Sequence, residues 1–259
     1  MHTALLQQLV EILLLVGSAA VAAKLYRQGL WRKYRVFFAY FVFRVPNSAW
    51  PLLVNDASPV YFWLWLITEP VCVAFYILVV AELYRLILDK YRGLGTLGRW
   101  AMYAASAASV LVSVLALLPH ITPAMPQSSR LLGYEYAFER GIDFSLVVFI
   151  LLLFLFLSRF PIPLSRNVLV HAAIYSLYFL TSTVGFLLHA LWGIRLSAEV
   201  NLFVSAASLV CVAGWLWLLN PAGETVSAHL PVFASGDERR ILLQLDTANA
   251  ALLRASRKI

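Results

Sequence analysis

Seven apolar stretches constrain this chain more than any other feature of its sequence. Each is about 20 residues long or longer, which is enough for an α-helix to cross a hydrocarbon core of about 30 Å. They cover roughly residues 4–23, 36–55, 60–87, 100–118, 140–158, 168–192 and 200–219. The pattern predicts an all-α fold, a polytopic membrane protein built as a bundle of seven transmembrane helices.

The composition supports a lipid bilayer as the surroundings of this bundle. Of the 259 residues, 62% are hydrophobic and 13% are charged, whereas about a quarter of a soluble protein is charged. A water-soluble fold of this size has too little interior to hide so much apolar surface. The net charge of +7 then indicates basic cytoplasmic loops rather than a nucleic-acid partner.

The distribution of lysine and arginine predicts the orientation of the bundle. Sixteen of the 20 basic residues fall in the 1–2, 3–4 and 5–6 connections and in the C-terminal tail, and three fall on the opposite side. Basic residues are retained in the cytoplasm when a bundle inserts. We therefore expect the N-terminus outside and the C-terminus in the cytoplasm.

The last predicted span divides the chain into a transmembrane domain, residues 1–220, and a cytoplasmic tail, residues 221–259. In the tail, Ser235 and Glu238 form a capping-box pattern, and apolar residues then recur every three or four positions. This predicts a short amphipathic helix over about 237–259. Three alternatives stay open: the helix forms a homodimer or binds a cytoplasmic partner, lies on anionic lipid, or docks under the bundle.

Two opposite charges are predicted near the middle of the bilayer. Arg44 lies about nine residues inside span 2 and Glu69 about nine inside span 3, roughly 13 Å of helix from either surface. An isolated charge at that depth is costly, so the sequence predicts an ion pair between them. Pro46 and Pro70 accompany the two charges, and a proline inside a helix predicts a kink.

Further polar side chains fall in the predicted outer half of the bundle. Glu11, Asn47, Asp143 and His189 accompany the Arg44–Glu69 pair there. The asymmetry predicts an outward-facing polar pocket for a small ligand or ion. Purely structural pairing, which fixes the register of the helices, is the alternative.

The sequence predicts neither catalysis nor a bound cofactor. His171 and His189 lie about 27 Å apart on one helix face, with no second histidine helix to complete haem ligation, and no metal-binding or nucleotide-binding spacing is present. Cys72 and Cys211 lie in apolar runs, as buried cysteines that pack as small apolar side chains do. We therefore expect no catalytic residues, no metal and no cofactor.

Three stretches, FFAYFVFR (37–44), TEPVCVAFYILVVAELYRLIL (68–88) and YRGLGTLGRW (91–100), resemble a family of bacterial seven-span membrane proteins without an assigned activity. The resemblance is best over the first 120 residues or so and implies the bacterial inner membrane. The architecture also resembles the sensor regions of some bacterial histidine kinases.

Taken together, these features favour a receptor-like or sensory membrane protein. Its ligand would enter the outward pocket, and the helix at 237–259 would report to a cytoplasmic partner. Two alternatives use the same charges differently: a small transporter or ion-coupled carrier, and a structural subunit of a membrane complex.

Overall fold

A computed structural model describes the protein over residues 2–55, 58–88, 92–117, 127–159, 164–192, 197–225, 227–228, 246–247, 249–250 and 254. The described chain is helical apart from two very short strands, so the all-α class is confirmed. Its seven long helices are α1 (His2–Arg27), α2 (Arg35–Leu53), α3 (Pro59–Ile87), α4 (Arg92–Leu117), α5 (Gln127–Arg159), α6 (Arg166–Trp192) and α7 (Ser197–Leu218).

Four of the described helices are long and apolar enough to cross a bilayer, which confirms a membrane protein with several spans. They are Leu5–Arg27, Pro59–Ile87, Arg166–His189 and Ala198–Leu218, and they correspond to predicted spans 1, 3, 6 and 7. The other three predicted spans lie largely within α2, α4 and α5. Helix α2 has only 19 residues and contains Pro46 and Pro51, and α5 carries charged residues in its first half.

Helix α3 lies at the centre of the arrangement and contacts α2, α4, α5 and α6. Around it, α2 packs on α1, α1 on α7, α7 on α6, α6 on α5, and α5 on α4. Polar side chains of α3 can therefore reach several neighbouring helices.

Aromatic rings fill the core between α2, α6 and α7. Phe37 meets the rings of Phe41, His171, Tyr175 and Trp215 at centroid separations of 4.4 to 5.9 Å. Four of these contacts are edge-on, the arrangement in which the positive ring edge meets a negative ring face. The cluster fixes how α2 sits against α6 and α7.

A carboxylate on α3 determines where α2 begins. The oxygens of Glu82 accept hydrogen bonds from the backbone N–H of Val36 at 3.0 Å and of Phe37 at 3.1 Å. Tyr34, which precedes the helix, provides no side-chain cap. Glu82 is 6% exposed, and it satisfies two of the N–H groups that a helix start leaves without partners. Its negative charge also suits the positive end of the helix dipole.

The segment after α7 folds back on the bundle. A short 3₁₀ helix at Pro221–Glu224 leads to strand β2 (Ser227–Ala228), which pairs antiparallel with β1 (Leu164–Ser165). The predicted helix over 237–259 lies mostly outside the described residues; those described within it, 246–247, 249–250 and 254, are helical. Its role stays a prediction.

Candidate functional site

A polar cavity of about 260 Å³ opens between five helices. It lies near the starts of α1, α3 and α7 and near the end of α6, the half of the bundle that the charge distribution predicts to face outward. Its volume is just below the 300–1,000 Å³ usual for small-molecule pockets. The polar side chains that line it include Gln7, Glu69, Glu139, Ser182, His189 and Asn201.

Two carboxylates reach this cavity from different helices, Glu69 from α3 and Glu139 from α5. Across it, His189 of α6 and Asn201 of α7 are hydrogen-bonded, with 3.0 Å between Nε2 and Oδ1. The cavity is therefore rich in acceptors and negative charge. The structure brings together two of the residues that the sequence predicts for a pocket, Glu69 and His189.

Asp143 and Glu11 do not line the cavity themselves but contact residues that do. Asp143 is fully buried and accepts a hydrogen bond from the hydroxyl of Ser182, which does line the cavity. Glu11 accepts a hydrogen bond of 3.3 Å from the side-chain amide of Gln7, another lining residue. Both predicted residues thus orient a polar side chain of the wall instead of facing a ligand.

Arg44 does not form the direct ion pair with Glu69 that the sequence predicts. Neither Arg44 nor Glu69 takes part in the ion pairs that the described residues show at N–O separations up to 4.0 Å, such as Lys33 with Glu224 and Arg85 with Glu82. Arg44 instead donates to the hydroxyl of Tyr40. The reason is lateral position: both charges lie at mid-depth, but depth alone does not decide which neighbour each side chain faces.

A tyrosine cluster of Tyr40, Tyr76 and Tyr178 surrounds the guanidinium of Arg44. The Arg44 carbon Cζ lies 5.6 Å from the ring centroid of Tyr40 and 6.0 Å from that of Tyr178. The hydroxyls of Tyr76 and Tyr178 are hydrogen-bonded at 2.7 Å. Ring faces attract a cation within about 6 Å, so this cluster provides the stabilisation that the sequence assigned to a carboxylate.

Asn47 links α2 to α3 rather than lining the cavity. Its side-chain amide donates to the sulfur of Cys72 at 3.3 Å, and its oxygen accepts from the indole N–H of Trp50 at 3.0 Å. Pro46 and Pro70 lie inside α2 and α3, and both helices continue past them. Cys72 and Cys211 are buried and unbridged, which agrees with the expected packing role.

A second polar cluster, which the sequence did not predict, lies at the opposite end of the bundle. The carboxylate of Glu224 forms an ion pair with Lys33 and accepts hydrogen bonds of 2.6 Å from the Tyr34 hydroxyl and from the Asn167 amide. Asn167 also donates to the backbone oxygen of Asn220 at 2.8 Å. The available signal was an acidic residue directly after the last apolar run, facing the basic 1–2 connection.

This second cluster changes how its members titrate. Burial alone would raise the pKa of Glu224, but hydrogen bonds from Lys33, Tyr34 and Asn167 and the charge of Lys33 outweigh it, so the pKa is lowered. Burial, followed by the hydrogen bond to Glu224, raises the pKa of Tyr34 above its usual range. At neutral pH Glu224 is therefore an acceptor and Tyr34 a donor.

Within the described part of the chain, no three His, Cys, Asp or Glu residues stand close enough to hold a metal ion. No protein-family model matches the chain, and neither does any curated protein or solved structure.

Proposed function

We propose that this chain is a receptor-like membrane protein that binds a small cationic ligand in its polar cavity. The observation that carries the proposal is the convergence of Glu69 and Glu139, from two helices, on one cavity. Carboxylates from two helices that face the same cavity make its electrostatic potential more negative. A cation in the cavity is attracted to both of them, which gives the site affinity for positive charge.

The remaining lining groups favour an ammonium ion over a bare metal ion. Asn201 and Ser182 offer oxygens that accept hydrogen bonds, and Trp65 brings an aromatic ring to the same wall. An ammonium group donates hydrogen bonds to oxygens and is attracted to an indole face. The cavity is also far larger than the roughly 30 Å³ that one water molecule occupies in the liquid.

The proposal places seven spans in the membrane, with the cavity facing outward and the C-terminus in the cytoplasm. Four apolar helices and the basic residues at the Lys33 end support this orientation. A ligand that draws α3 and α5 together would alter the packing of α3 against α2, α4 and α6. The segment after α7 and the helix predicted at 237–259 would carry that change to a cytoplasmic partner.

Thermal unfolding of the purified protein in detergent tests the binding step. The probes are ethanolamine and choline as chloride salts, compared with sodium chloride at equal ionic strength. We expect both organic cations to raise the unfolding temperature of the unaltered protein, since a ligand that binds only the folded state stabilises it. Glu69→Gln and Glu139→Gln should each abolish most of the rise.

Glu199→Gln is the matched control, because Glu199 is an exposed carboxylate at the start of α7 that does not line the cavity. This variant should keep the full response to both cations. An unfolding temperature that responds equally in Glu69→Gln, Glu139→Gln and Glu199→Gln would show a general salt effect and overturn the proposal. It would then favour the alternative in which the buried charges are structural.

A further inference from the structure

An apolar groove of about 600 Å³ adjoins the polar cavity on the side of α4, α5 and α6. Val112 and Phe144 line it with side chains that are 65% and 53% exposed. In a bundle surrounded by lipid, such a groove opens to the acyl chains. Its polar lining residues are Ser109, Arg140 and Thr183.

The groove and the polar cavity share a wall. Phe186 of α6 lines both of them. About one turn earlier in the same helix, Ser182 lines the cavity and Thr183 lines the groove. The oxygen of Thr183 is buried and has no hydrogen-bond partner among the described residues. A rotation of the Thr183 side chain toward the groove would bring this hydroxyl to a polar group of a ligand, which would offset the cost of an unsatisfied polar atom.

Helix α5 places opposite charges on the two sides of this wall. Glu139 lines the cavity, and the next residue, Arg140, lines the groove; successive residues of a helix point about 100° apart. Gly141 keeps α5 close to α4 here, since a Cβ atom at Gly141 would stand 2.8 Å from the Cα atom of Val110. The close approach fixes the floor of the groove beside the two charges.

We propose that the cation of the polar cavity is the head group of an aminophospholipid whose acyl chain lies in the groove. The head group would pass beside Phe186, the residue at which the cavity and the groove meet. Its ammonium would meet Glu69 and Glu139, its phosphate would meet Arg140 and the Thr183 hydroxyl, and the chain would lie along Val112 and Phe144. The protein groups thus follow the order of the groups in the lipid. The carboxylates match the ammonium, the guanidinium matches the phosphate, and the apolar side chains match the acyl chain. The inference rests on the proposed function and specifies the ligand class.

Native mass spectrometry of the whole protein in detergent tests the inference. Phosphatidylethanolamine is the probe, phosphatidylglycerol tests the need for the amine, and glycerophosphoethanolamine, which lacks chains, tests the head group alone. We expect phosphatidylethanolamine to bind at least about tenfold more tightly than phosphatidylglycerol, a difference of about 1.4 kcal/mol. Glycerophosphoethanolamine should bind more weakly than the intact lipid and should need Glu69.

Two variants address the groove, each with a matched control. Arg140→Gln removes the phosphate contact, and Arg166→Gln removes an exposed arginine at the start of α6 instead. Val112→Trp fills the groove, and Val210→Trp adds the same ring at a site of similar exposure, 61% against 65%. We expect about a tenfold loss of phosphatidylethanolamine binding in each groove variant and no loss in either control.

The outcomes separate this inference from the proposed function. Suppose that ethanolamine stabilises the protein through Glu69 but that Arg140→Gln and Val112→Trp leave the affinity for phosphatidylethanolamine unchanged. The cavity then binds cations, and the lipid inference fails. If Glu69→Gln changes neither ethanolamine nor lipid binding, both fail. Equal binding of phosphatidylglycerol also overturns the inference. Should Val112→Trp not fold, Leu187→Trp fills the same groove from α6.

Discussion

The ammonium of Lys33 and the carboxylate of Glu224 form an ion pair across 191 positions of sequence. The pair joins the connection between α1 and α2 to the 3₁₀ helix that follows α7. Tyr34 and Asn167 bind the same carboxylate, so three separate segments meet on one side chain. The cluster therefore ties the start of α2, the start of α6 and the segment after α7 together.

Glu224→Gln should destabilise the protein by about 2 kcal/mol at neutral pH, because charge-assisted hydrogen bonds from three partners are weakened. For a chain of this size that corresponds to a decrease in unfolding temperature of roughly 4–8 °C. Differential scanning fluorimetry in detergent measures it. The exposed control Glu199→Gln should change the unfolding temperature by less than about 1 °C, because a surface substitution changes the free energy of unfolding by only a few tenths of a kcal/mol. An equal decrease in both variants would contradict the structural role of Glu224.

The contribution of Glu224 to the free energy of unfolding should depend on pH. The pKa of Glu224 is lowered in the folded state, so its contribution to stability is fully present above the unfolded value of about 4.3. It is lost as pH falls through the folded pKa, because the unfolded state then binds more protons. The difference in unfolding temperature between the unaltered protein and Glu224→Gln should therefore be constant from pH 7 to about 5 and shrink below about 4. A difference that grows in acid would be inconsistent with this assignment.

Glu82→Gln should weaken the start of α2. The charged cap accepts from two backbone N–H groups, and its replacement by a neutral amide should cost about 1–2 kcal/mol. Arg85→Gln is the matched control, since Arg85 lies 3.8 Å from Glu82 and is largely exposed; it should cost under about 1 kcal/mol. Chemical unfolding followed by circular dichroism compares the two, and a larger loss from Arg85→Gln would contradict the capping role.

A double-mutant cycle distinguishes the observed partner of Arg44 from the predicted one. Arg44→Gln combined with Tyr40→Phe should show a coupling of about 1 kcal/mol, since the two side chains are in contact. Arg44→Gln combined with Glu69→Gln should show a smaller coupling, because their charges interact without a direct ion pair. Folded yield and unfolding temperature in detergent supply the energies. The reverse ranking would restore the direct ion pair.

The predicted orientation has a simple check in cells. A phosphatase that is active only after export, fused after Ile259, should give no signal, whereas the same enzyme inserted between α6 and α7 should be active. Basic residues near the C-terminal ends of α1 and α3 motivate this expectation. Activity at Ile259 would reverse the topology and would make the polar cavity face the cytoplasm.

Depth along a helix was predictable for the charged residues, and lateral neighbours were not. Counting from the ends of the apolar runs placed Arg44 and Glu69 at similar depth, yet Arg44 lies among tyrosines and Glu69 lines a cavity. Rotation about the helix axis shifts a side chain by about 100° per residue. No count of residues between span ends resolves that rotation when a helix is apolar on all sides.

Contacts between distant segments were equally out of reach of the sequence. Along the sequence, Glu82 lies near the end of the third apolar run and Glu224 lies a few residues after the seventh. Their roles, capping α2 and joining Lys33 to Asn167, depend on which helices are neighbours. Glu139 and Asn201 line the cavity. The sequence did not predict this, because the helices that carry them converge only in the folded bundle.

The sequence by itself determined that this chain is a helical membrane protein, because long apolar runs with few charges are stable only where lipid surrounds them. It also determined the approximate depth of each polar residue, because depth follows from position along a span. Only the tertiary structure decided which of them meet. Apolar helices in lipid associate through the shape of their surfaces, and that shape arises from every side chain at once.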